Sequence, residues 1–370
     1  MSMDTYVTDE ATGEGWKLML GDSCERLAEV PDQSIDLSVY SPPFASLYTY
    51  SPSERDLGNC QSREEFLEHY GFVIEHMLRV TKPGRLSCVH VQQLTTTKST
   101  HGVVGLTDFR GQIIAAHQSA GWIFHGEVTV DKDPQAQAIR TKAQALMFNT
   151  LNRDSSKSRP ALADYVLMFR APGDNEVPVK PDCDNETWIQ WARPVWYDIR
   201  ESDTLNVRIA REDADERHIC PLQLSLIERA VRLWSNQGET VLSPFAGIGS
   251  EGVVSLRNGR QFVGCELKAS YWKVARENLD AESGQTRFAV GPSDPGGTNG
   301  RTPMTTEELK NELKREAERR DALDADRDAV RQKIDGLLEQ LREPPHDVGV
   351  GELADLAGMS RQAVHKALGR

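Results

Sequence analysis

The most constraining feature of this chain is a short apolar stretch that runs into two adjacent prolines, residues 37–44 (LSVYSPPF). Its apolar residues predict a buried strand. Proline cannot continue a β-ladder, fixes its own φ angle and pushes the preceding residue toward extended geometry. We therefore expect the strand to end in a stiff turn at the C-terminal edge of a sheet. The turn is formed by Ser41, Pro42, Pro43 and Phe44.

Such a turn presents a hydroxyl group, outward-facing carbonyls and an aromatic face. Hydroxyl and carbonyl oxygens accept hydrogen bonds, so this combination suits the binding of a flat ring that bears an amino group. In isolation the same residues are also typical of an ordinary turn. The interpretation therefore depends on a second motif, about 200 residues later, that would complete the same site.

Short apolar runs alternate with helical patterns over most of the chain. Strands are predicted at 16–20, 35–39, 86–91, 122–130, 164–169, 240–242 and 260–266. Helices are predicted at 23–27, 63–80 and 221–234, with Ser23 as the cap of the first and residues 82–84 (KPG) as the stop of the second. This alternation predicts an α/β fold with helices packed on a sheet.

The alternation of strand and helix patterns is interrupted in two places, and these interruptions suggest the domain organisation. Residues 171–217, rich in Pro, Asp and Arg and containing three tryptophans, are predicted to be an inserted recognition lobe of a catalytic domain that spans 1–285. Residues 286–304 are predicted to be a flexible linker. A long charged helix at 305–343 and a small all-α unit at 344–370 follow.

Composition limits the possible classes of protein. No apolar run approaches the ~18 residues of a membrane span, and the acidic N-terminus is unlike a signal peptide. Six scattered cysteines without a C-x-x-C pair argue against zinc and disulfides and for a reducing cytoplasm. The net charge of −13 disfavours nucleic acid as a partner unless positive charge is concentrated locally. We expect a cytoplasmic protein with no metal and no membrane contact.

The second motif is glycine-rich, residues 241–252 (VLSPFAGIGSEG), and reads as strand, turn and helix. Glycines let the backbone approach a ligand closely, and the helix N-terminus offers free N–H groups. The next strand ends at Glu266, where an acid can accept both ribose hydroxyls of an adenosine-type cofactor. A ligand-free turn is the alternative. The motif also suits NAD, but NAD would need a second nucleotide-binding half, and only a linker and a charged helix follow Leu279.

Taken together, these segments resemble the amino-group DNA methyltransferases, specifically the permuted (beta) group in which the acceptor motif precedes the cofactor motif. Residues 21–23, 34–37 and 41–44 resemble the opening of that family, and residues 243–249 and 264–266 its cofactor region. Residues 218–222 lie where the family has a segment that closes over the methionine end of the cofactor. The resemblance covers about residues 16–280. It implies S-adenosylmethionine as methyl donor, a doubly wound, mostly parallel sheet, and double-stranded DNA as substrate.

The resemblance also implies a set of cofactor-binding residues. They are Asp22, Pro221, Ser243, Phe245, Gly247, Gly249 and Glu266. One departure is visible, because the family usually has Asp where this chain has Ser243. An Asp there would meet the methionine ammonium group, so another carboxylate would have to replace it here.

The candidate catalytic residues are those of the Pro-Pro turn. An exocyclic base amine is a poor nucleophile because its lone pair is delocalised into the ring. Hydrogen bonds from its N–H groups to Ser41 and to the Pro42 carbonyl would favour a pyramidal nitrogen, and Phe44 would stack on a flipped-out base. In the resembling family, Ser before Pro-Pro leans toward cytosine N4 and Asp toward adenine N6. Cytosine C5 methylation uses a cysteine that follows a proline, and this chain has no Pro-Cys pair.

Three regions are candidates for contact with DNA. A cluster of basic residues could contact phosphates, with a solvated loop as the alternative: Arg140, Lys142, Arg153, Lys157 and Arg159. The lobe at 171–217, with Arg193, is the candidate for sequence readout, although its tryptophans are more often packing residues. Residues 351–368 resemble a helix-turn-helix, with a docking hairpin as the alternative, and four of them would face DNA: Arg361, Gln362, His365 and Lys366.

Two further expectations concern assembly and the rival functions. Leucines at heptad spacing in the charged helix predict a dimeric coiled coil, and a solvated spacer helix is the alternative. A dimer would bring two terminal units to paired half-sites. A DNA-binding regulator with an inactive methyltransferase-like core is the main rival function. Methylation of RNA or of a small molecule is less favoured, because the lobe and the terminal unit would then lack a purpose.

Overall fold

The computed structural model describes residues 6–44, 55–60, 62–96, 98, 102–134, 160–205 and 221–289. All of these belong to the first of two compact units, Met1–Pro292, and the second is Ser293–Arg370. Several predictions lie outside the described residues: the basic cluster at 140–159, the lobe beyond 205, the segment 218–220, the linker beyond 289, the charged helix and the terminal unit. They stay predictions.

Eleven strands lie in the described part of the chain. In chain order they are β1 (Asp9–Gly13), β2 (Trp16–Leu20), β3 (Ile35–Tyr40), β4 (Thr81–Gln92), β5 (Leu94–Thr96), β6 (Gly105–Thr107), β7 (Ile123–Val130), β8 (Asp164–Arg170), β9 (Val195–Trp196), β10 (Thr240–Ser243) and β11 (Gln261–Glu266). Nine of them form one sheet in the order β1-β2-β11-β10-β3-β4-β8-β7-β9, and β5 and β6 form a separate hairpin.

Seven α-helices connect these strands within the described residues. They are α1 (Ser23–Arg26), α2 (Arg63–Val80), α3 (Phe109–Ser119), α4 (Asn185–Trp191), α5 (Leu224–Trp234), α6 (Ser250–Arg257) and α7 (Ala269–Ala289). Short 3-10 turns lie at Leu27–Glu29 and Leu57–Asn59. Helix α7 continues four residues into the stretch predicted as a linker. None of these helices combines the length and the apolar character that crossing a bilayer requires.

The sheet is mainly parallel, as predicted. Strands β2, β11, β10, β3 and β4 all run in one direction, whereas β1 at one edge and β8 beyond β4 are antiparallel to their neighbours. The chain order reverses between β3 and β10, where Val241 lies opposite Leu37 and Leu242 opposite Ser38. In sheets of this kind ligands bind beyond the carboxyl ends of the strands at such a reversal. The Pro-Pro turn and the glycine-rich turn therefore leave the same edge side by side.

Helices cover both faces of the sheet, and the alternation along β3 shows why. Leu37 and Val39 point into one apolar cluster that includes α5, whereas Tyr40 points into another that includes α2 and α3. Every residue of β3 is buried, as expected for a central parallel strand. Helix α2 begins where Ser62 accepts a hydrogen bond from the Glu65 backbone N–H, and it buries one face. The core thus fixes the edge from which both turns project.

Two local expectations were wrong. The N-cap of α1 is Asp22, whose carboxylate accepts the Cys24 N–H at 2.9 Å, and Ser23 is the first helical residue. Residues 82–84 do not separate a helix from a later strand, because α2 ends at Val80 and β4 begins at Thr81. The ladder between β3 and β4 is irregular at this point. A proline is tolerated in a strand where the ladder is interrupted.

The described part of the predicted recognition lobe packs on the main sheet. Strand β9 pairs with β7 and extends the main sheet. Trp196 is buried, and its Nε1 donates to the Trp191 carbonyl at 2.9 Å. This tryptophan is therefore a packing residue. Trp188 is 49% exposed and Arg193 is also exposed. A role of this segment in sequence readout stays a prediction.

Candidate functional site

The Pro-Pro turn follows β3 directly. Pro42 is buried, and Ser41, Pro43 and Phe44 are half-buried. The Phe44 ring packs against Phe109 at the start of α3, with ring centroids 6.1 Å apart and a tilt of 59°. Contact with the core therefore restrains the aromatic ring, and the turn is held as a platform at the sheet edge.

Ser41 is connected to a buried polar network that the sequence did not reveal. Its Oγ lies 3.2 Å from Nδ1 of His90 and 3.1 Å from the His90 carbonyl oxygen. The other ring nitrogen of His90, Nε2, lies 3.0 Å from Oδ2 of Asp164. Asp164 also accepts from Lys132 Nζ at 2.6 Å and from Gln92 Nε2 at 2.7 Å. A continuous polar chain thus runs from the platform to a buried ion pair.

Strand pairing explains why these residues meet. Strands β4 and β8 are antiparallel, with Val166 opposite His90 and Asp164 opposite Gln92. His90 and Gln92 share a face of the sheet because side chains alternate along a strand. Lys132 lies just beyond the end of β7, whose Val130 pairs with Asp164. The network therefore sits at the edge of the sheet that also carries Ser41.

The Asp164 carboxylate is negatively charged in this environment. Its burial would by itself raise the pKa, but the interactions with His90 and Lys132 outweigh burial and bring the pKa below the usual value. The side chains of Asp164 and Lys132 are each only 6% exposed. A buried carboxylate is thus held ionised by a cation and by an imidazole.

The glycine-rich turn follows β10. Gly247 and Gly249 have φ angles of 53° and 87°, which few other residues adopt. A Cβ atom on Gly249 would lie 3.2 Å from the side chain of Ala275, so α7 closes over this point. The Phe245 ring centroid is 6.0 Å from that of Tyr40, the last residue of β3. The two turns are therefore joined by aromatic packing beneath them.

Glu266 lies at the end of β11, beside the glycine-rich turn. Its Oε2 accepts the Gly247 N–H and its Oε1 accepts the Lys268 N–H, both at 2.8 Å. Burial raises the pKa of Glu266 to about 7, an effect that those two N–H groups oppose and the negative charge of Asp56 reinforces. This carboxylate therefore changes its charge near neutral pH.

Asp22 lies at the same edge. The N–H of Gly21 donates to the Glu266 carbonyl at 2.9 Å, so the chain leaves β2 next to the end of β11. The Asp22 carboxylate caps α1 and lies 3.4 Å from Arg55 Nη1. Pro221 is half-buried and stands just before α5. Of the predicted closing segment, only residues 221–222 are described.

The residues around the glycine-rich turn fit an adenosine-type cofactor that carries an amino acid. Among the described residues, the fully buried hydroxyl of Ser243 and the buried hydroxyl of Ser250 have no hydrogen-bond partner. Glu251, in the first turn of α6, is 4% exposed; burial raises its pKa to about 8, and the charge of Glu266 adds to the increase. The turn thus combines a carboxylate for ribose, unpaired hydroxyls and a second carboxyl group.

The structure brings together most of the predicted site residues that it describes. The platform and the cofactor turn adjoin each other, with Asp22 and Glu266 along the same edge, as the sequence led us to expect. His90, Gln92, Lys132 and Asp164 were missed. Polar residues two positions apart at the end of an apolar strand were the available signal, because such residues share a face. Across the described ranges, no three His, Cys, Asp or Glu side chains are grouped to hold a metal ion.

Comparison with known protein families and sequences gives a consistent result. The model of a DNA methylase family, N6_N4_Mtase, matches residues 35–277. The DNA adenine methyltransferase YhdJ of Escherichia coli K12 is 37% identical over 276 residues, which cover 73% of this chain and 84% of the relative. The type II methyltransferase M1.MboII of Moraxella bovis is 26% identical over 264 residues, or 66% of this chain and 89% of the relative.

Solved structures agree at the level of the fold. The PvuII cytosine-N4-specific DNA methyltransferase superposes with a TM-score of 0.52 at 18% identity, over 74% of this chain and 93% of that one. A Thermus thermophilus protein crystallised with S-adenosyl-L-methionine gives a TM-score of 0.51 at 24% identity, over 71% and 94%.

Proposed function

This chain belongs to the N6/N4 DNA methylase family, whose members depend on S-adenosylmethionine, and from that membership we propose its reaction. The protein transfers a methyl group from S-adenosylmethionine to an exocyclic amine of a base in double-stranded DNA. Of the two possible acceptor amines we favour cytosine N4, and adenine N6 is the alternative. The pairing of β3 with β10 is the observation that carries the proposal, because it sets the Pro-Pro turn beside the glycine-rich turn.

The cofactor side of the site would be formed by the ends of β10 and β11. Glu266 accepts the ribose hydroxyls, and the left-handed conformations of Gly247 and Gly249 let the cofactor approach the backbone. Ser243 supplies a hydroxyl where an aspartate is usual, and its buried Oγ needs a partner. Glu251, buried in the next helical turn, is our candidate for the carboxylate that meets the methionine ammonium group.

The acceptor side would prepare the amine for attack. Ser41 Oγ and the Pro42 carbonyl accept hydrogen bonds from the amine N–H groups, which favours a pyramidal nitrogen with an available lone pair. Phe44, held by Phe109, stacks on the flipped base and fixes its plane. S-adenosylmethionine, when bound, would supply a methyl group on a sulfonium. The positioned nitrogen would attack that methyl carbon in line with the departing thioether sulfur.

The target base is inferred from one residue. Ser41 stands where related sequences carry either Ser or Asp, and Ser favours cytosine N4. The similar proteins include an adenine methyltransferase and a cytosine-N4 methyltransferase, so their names support the reaction type rather than the base. Cys220 precedes a proline instead of following one, and C5 chemistry is therefore not proposed.

DNA contacts are proposed for residues outside the described ranges. Arg140, Lys142, Arg153, Lys157 and Arg159 would bind phosphates, and the terminal unit would read bases with Arg361, Gln362, His365 and Lys366. The chain carries a net charge of −13, so phosphate binding requires such local concentrations of positive charge. Dimerisation through the charged helix would place two such units on one duplex.

The test is a product analysis. Purified protein is incubated with duplex DNA and methyl-labelled S-adenosylmethionine, and the DNA is digested to nucleosides for mass spectrometry. We expect label in N4-methyldeoxycytidine, and label in N6-methyldeoxyadenosine would support the alternative base. Label on cytosine C5, or binding of the cofactor without transfer to DNA, would contradict the proposal. Long-read sequencing of DNA from expressing cells gives the modified site.

Truncation of the stacking residue tests the division of roles. Phe44→Ala should lower kcat at least about 30-fold while the Kd for S-adenosylmethionine changes less than about twofold, because base–aromatic stacking contributes about 1–3 kcal/mol and positioning of the amine is lost as well. Phe72→Ala, at a residue 53% exposed on α2, is the matched control. Equal loss of cofactor binding and turnover in the Phe44 variant would count against this assignment.

A further inference from the structure

The polar network behind Ser41 has a direction that matters for the reaction. Building on the proposed function, we infer that His90, held by Asp164, orients the Ser41 hydroxyl and takes up the proton that methyl transfer releases. His90 does not touch the substrate in this account. It is a positioning residue and a proton acceptor that acts through Ser41.

Asp164 fixes the tautomer of His90. Asp164 is ionised and can only accept hydrogen bonds, so the ring nitrogen that faces it at 3.0 Å, Nε2, must carry the hydrogen. In the neutral ring Nδ1 is then an acceptor. The partners of the Ser41 hydroxyl on this side are Nδ1 at 3.2 Å and the His90 carbonyl at 3.1 Å, and both are acceptors.

The tautomer of His90 determines which lone pairs of Ser41 Oγ are available to the substrate. Its single hydrogen is directed toward β4 whichever of the two acceptors it uses. Both lone pairs of Oγ are therefore left to accept hydrogen bonds from the substrate side. A protonated His90 would instead donate from Nδ1 to Ser41 and occupy one of these lone pairs. The neutral form of His90 is thus the form that prepares Ser41 for an amine.

Methyl transfer releases one proton from the amine, and the network can accept it. The N–C bond forms as the C–S bond of the sulfonium breaks, and the nitrogen then carries one proton more than the product needs. That proton passes to Ser41 Oγ while the Ser41 hydroxyl proton passes to His90 Nδ1. The products are a neutral methylated amine, a neutral serine and an imidazolium that faces the Asp164 carboxylate. The side chain of His90 is 10% exposed, which leaves a route for the proton to solvent.

Lys132 is the cation of the same network. Its ammonium shares Oδ2 of Asp164 with His90, at 2.6 Å against 3.0 Å. Asp164 and Lys132 balance each other, so a proton on His90 adds an uncompensated positive charge in a largely buried cluster. The other group of the network, Gln92, is uncharged. With a neutral His90, the network therefore carries one positive and one negative charge, on Lys132 and Asp164.

A spectroscopic test addresses the geometry without requiring activity. Protein labelled with nitrogen-15 in histidine is measured near neutral pH, and the His90 signals are assigned by their loss in His90→Gln. We expect the Nε2–H tautomer, with Nδ1 unprotonated and its chemical shift altered in Ser41→Ala. An Nδ1–H tautomer would overturn the inference. If wild-type protein transfers no methyl group at all, the proposed function fails, and this spectrum still reports on the network.

A kinetic test addresses the proton transfer at saturating cofactor. His90→Gln should lower kcat by about 100-fold, the lower end of what proton transfer contributes, with the Kd for S-adenosylmethionine unchanged. The decline of kcat on acidification should vanish in this variant. His125→Gln, on an exposed histidine of β7, is the control.

Loss of the acid decline in His90→Gln separates proton transfer from mere support of the fold, which would leave the pH dependence of kcat in place. A His90→Gln enzyme with wild-type kcat and an unchanged pH profile would overturn the inference.

Discussion

Protonation of Glu266 should control cofactor affinity. Its carboxylate already accepts two backbone N–H groups, and burial raises its pKa to about 7. Only the ionised form offers acceptors on both oxygens for the ribose hydroxyls. Affinity for S-adenosylmethionine should therefore fall as this carboxylate becomes protonated.

The size of the effect follows from that pKa. Half of the Glu266 side chains are ionised near pH 7 and about 3% at about pH 5.5, so protonation of Glu266 alone should raise the Kd about fifteenfold over this range. The α-amino group of the cofactor stays protonated there, since its ordinary pKa lies near 8. The observed change therefore belongs to the protein.

Isothermal titration calorimetry at several pH values measures this dependence. Glu266→Gln should bind more weakly near pH 7 and depend less steeply on pH, because one of the two titrating carboxyl groups, Glu266 and Glu251, is then gone. Glu277→Gln, on the exposed face of α7, should retain the wild-type profile. A wild-type Kd that is the same at both ends of the range would refute the reasoning. A Glu266→Gln profile that keeps the wild-type slope would refute it as well.

Three further predictions concern other buried charged or titratable groups. Burial lowers the pKa of His117 to about 4, so the neutral ring stabilises the fold fully above the unfolded pKa of 6.5. This contribution, about 3 kcal/mol in all, is lost as the pH falls toward 4. Denaturant unfolding of His117→Phe should therefore depend less on acid than that of the wild type, and His125→Gln should leave the acid dependence unchanged. Glu251→Gln should weaken binding of S-adenosylmethionine but not of methylthioadenosine, which lacks the amino acid, and equal losses in calorimetry would exclude the ammonium contact. Arg260→Met should destabilise the fold by about 3 kcal/mol because the buried guanidinium donates to the carbonyls of Ser235 and Asn258, which would lose their partner. Arg276→Met on the surface should change stability by less than about 1 kcal/mol, and urea midpoints are the readout for both variants.

Local sequence patterns were sufficient for the central elements of the fold. Helix α2 has the predicted bounds, Arg63–Val80, because its apolar residues recur with a helical period and Ser62 caps it. Strand β3 and the turn after it follow from an apolar run that two prolines end. The cap at Asp22 was missed because Asp and Ser are both good capping residues and stand next to each other.

Contacts between distant strands could not be predicted in the same way. Strand β9 has two residues and exists only through its pairing with β7, and the segment that holds it therefore looked like an insertion. His90 lay in a predicted strand, but its partner Asp164 is 74 residues away and meets it only through the register of β4 and β8. Local propensity carries no information about such a register.

The most direct test of the central claim is a crystal structure with sinefungin, an analogue of S-adenosylmethionine in which an amine-bearing carbon replaces the methylated sulfonium. The account predicts ribose hydroxyls on Glu266 and the amine directed at Ser41 across the edge where β3 and β10 pair. Sinefungin bound elsewhere, or with its amine separated from Ser41 by packed side chains, would contradict it.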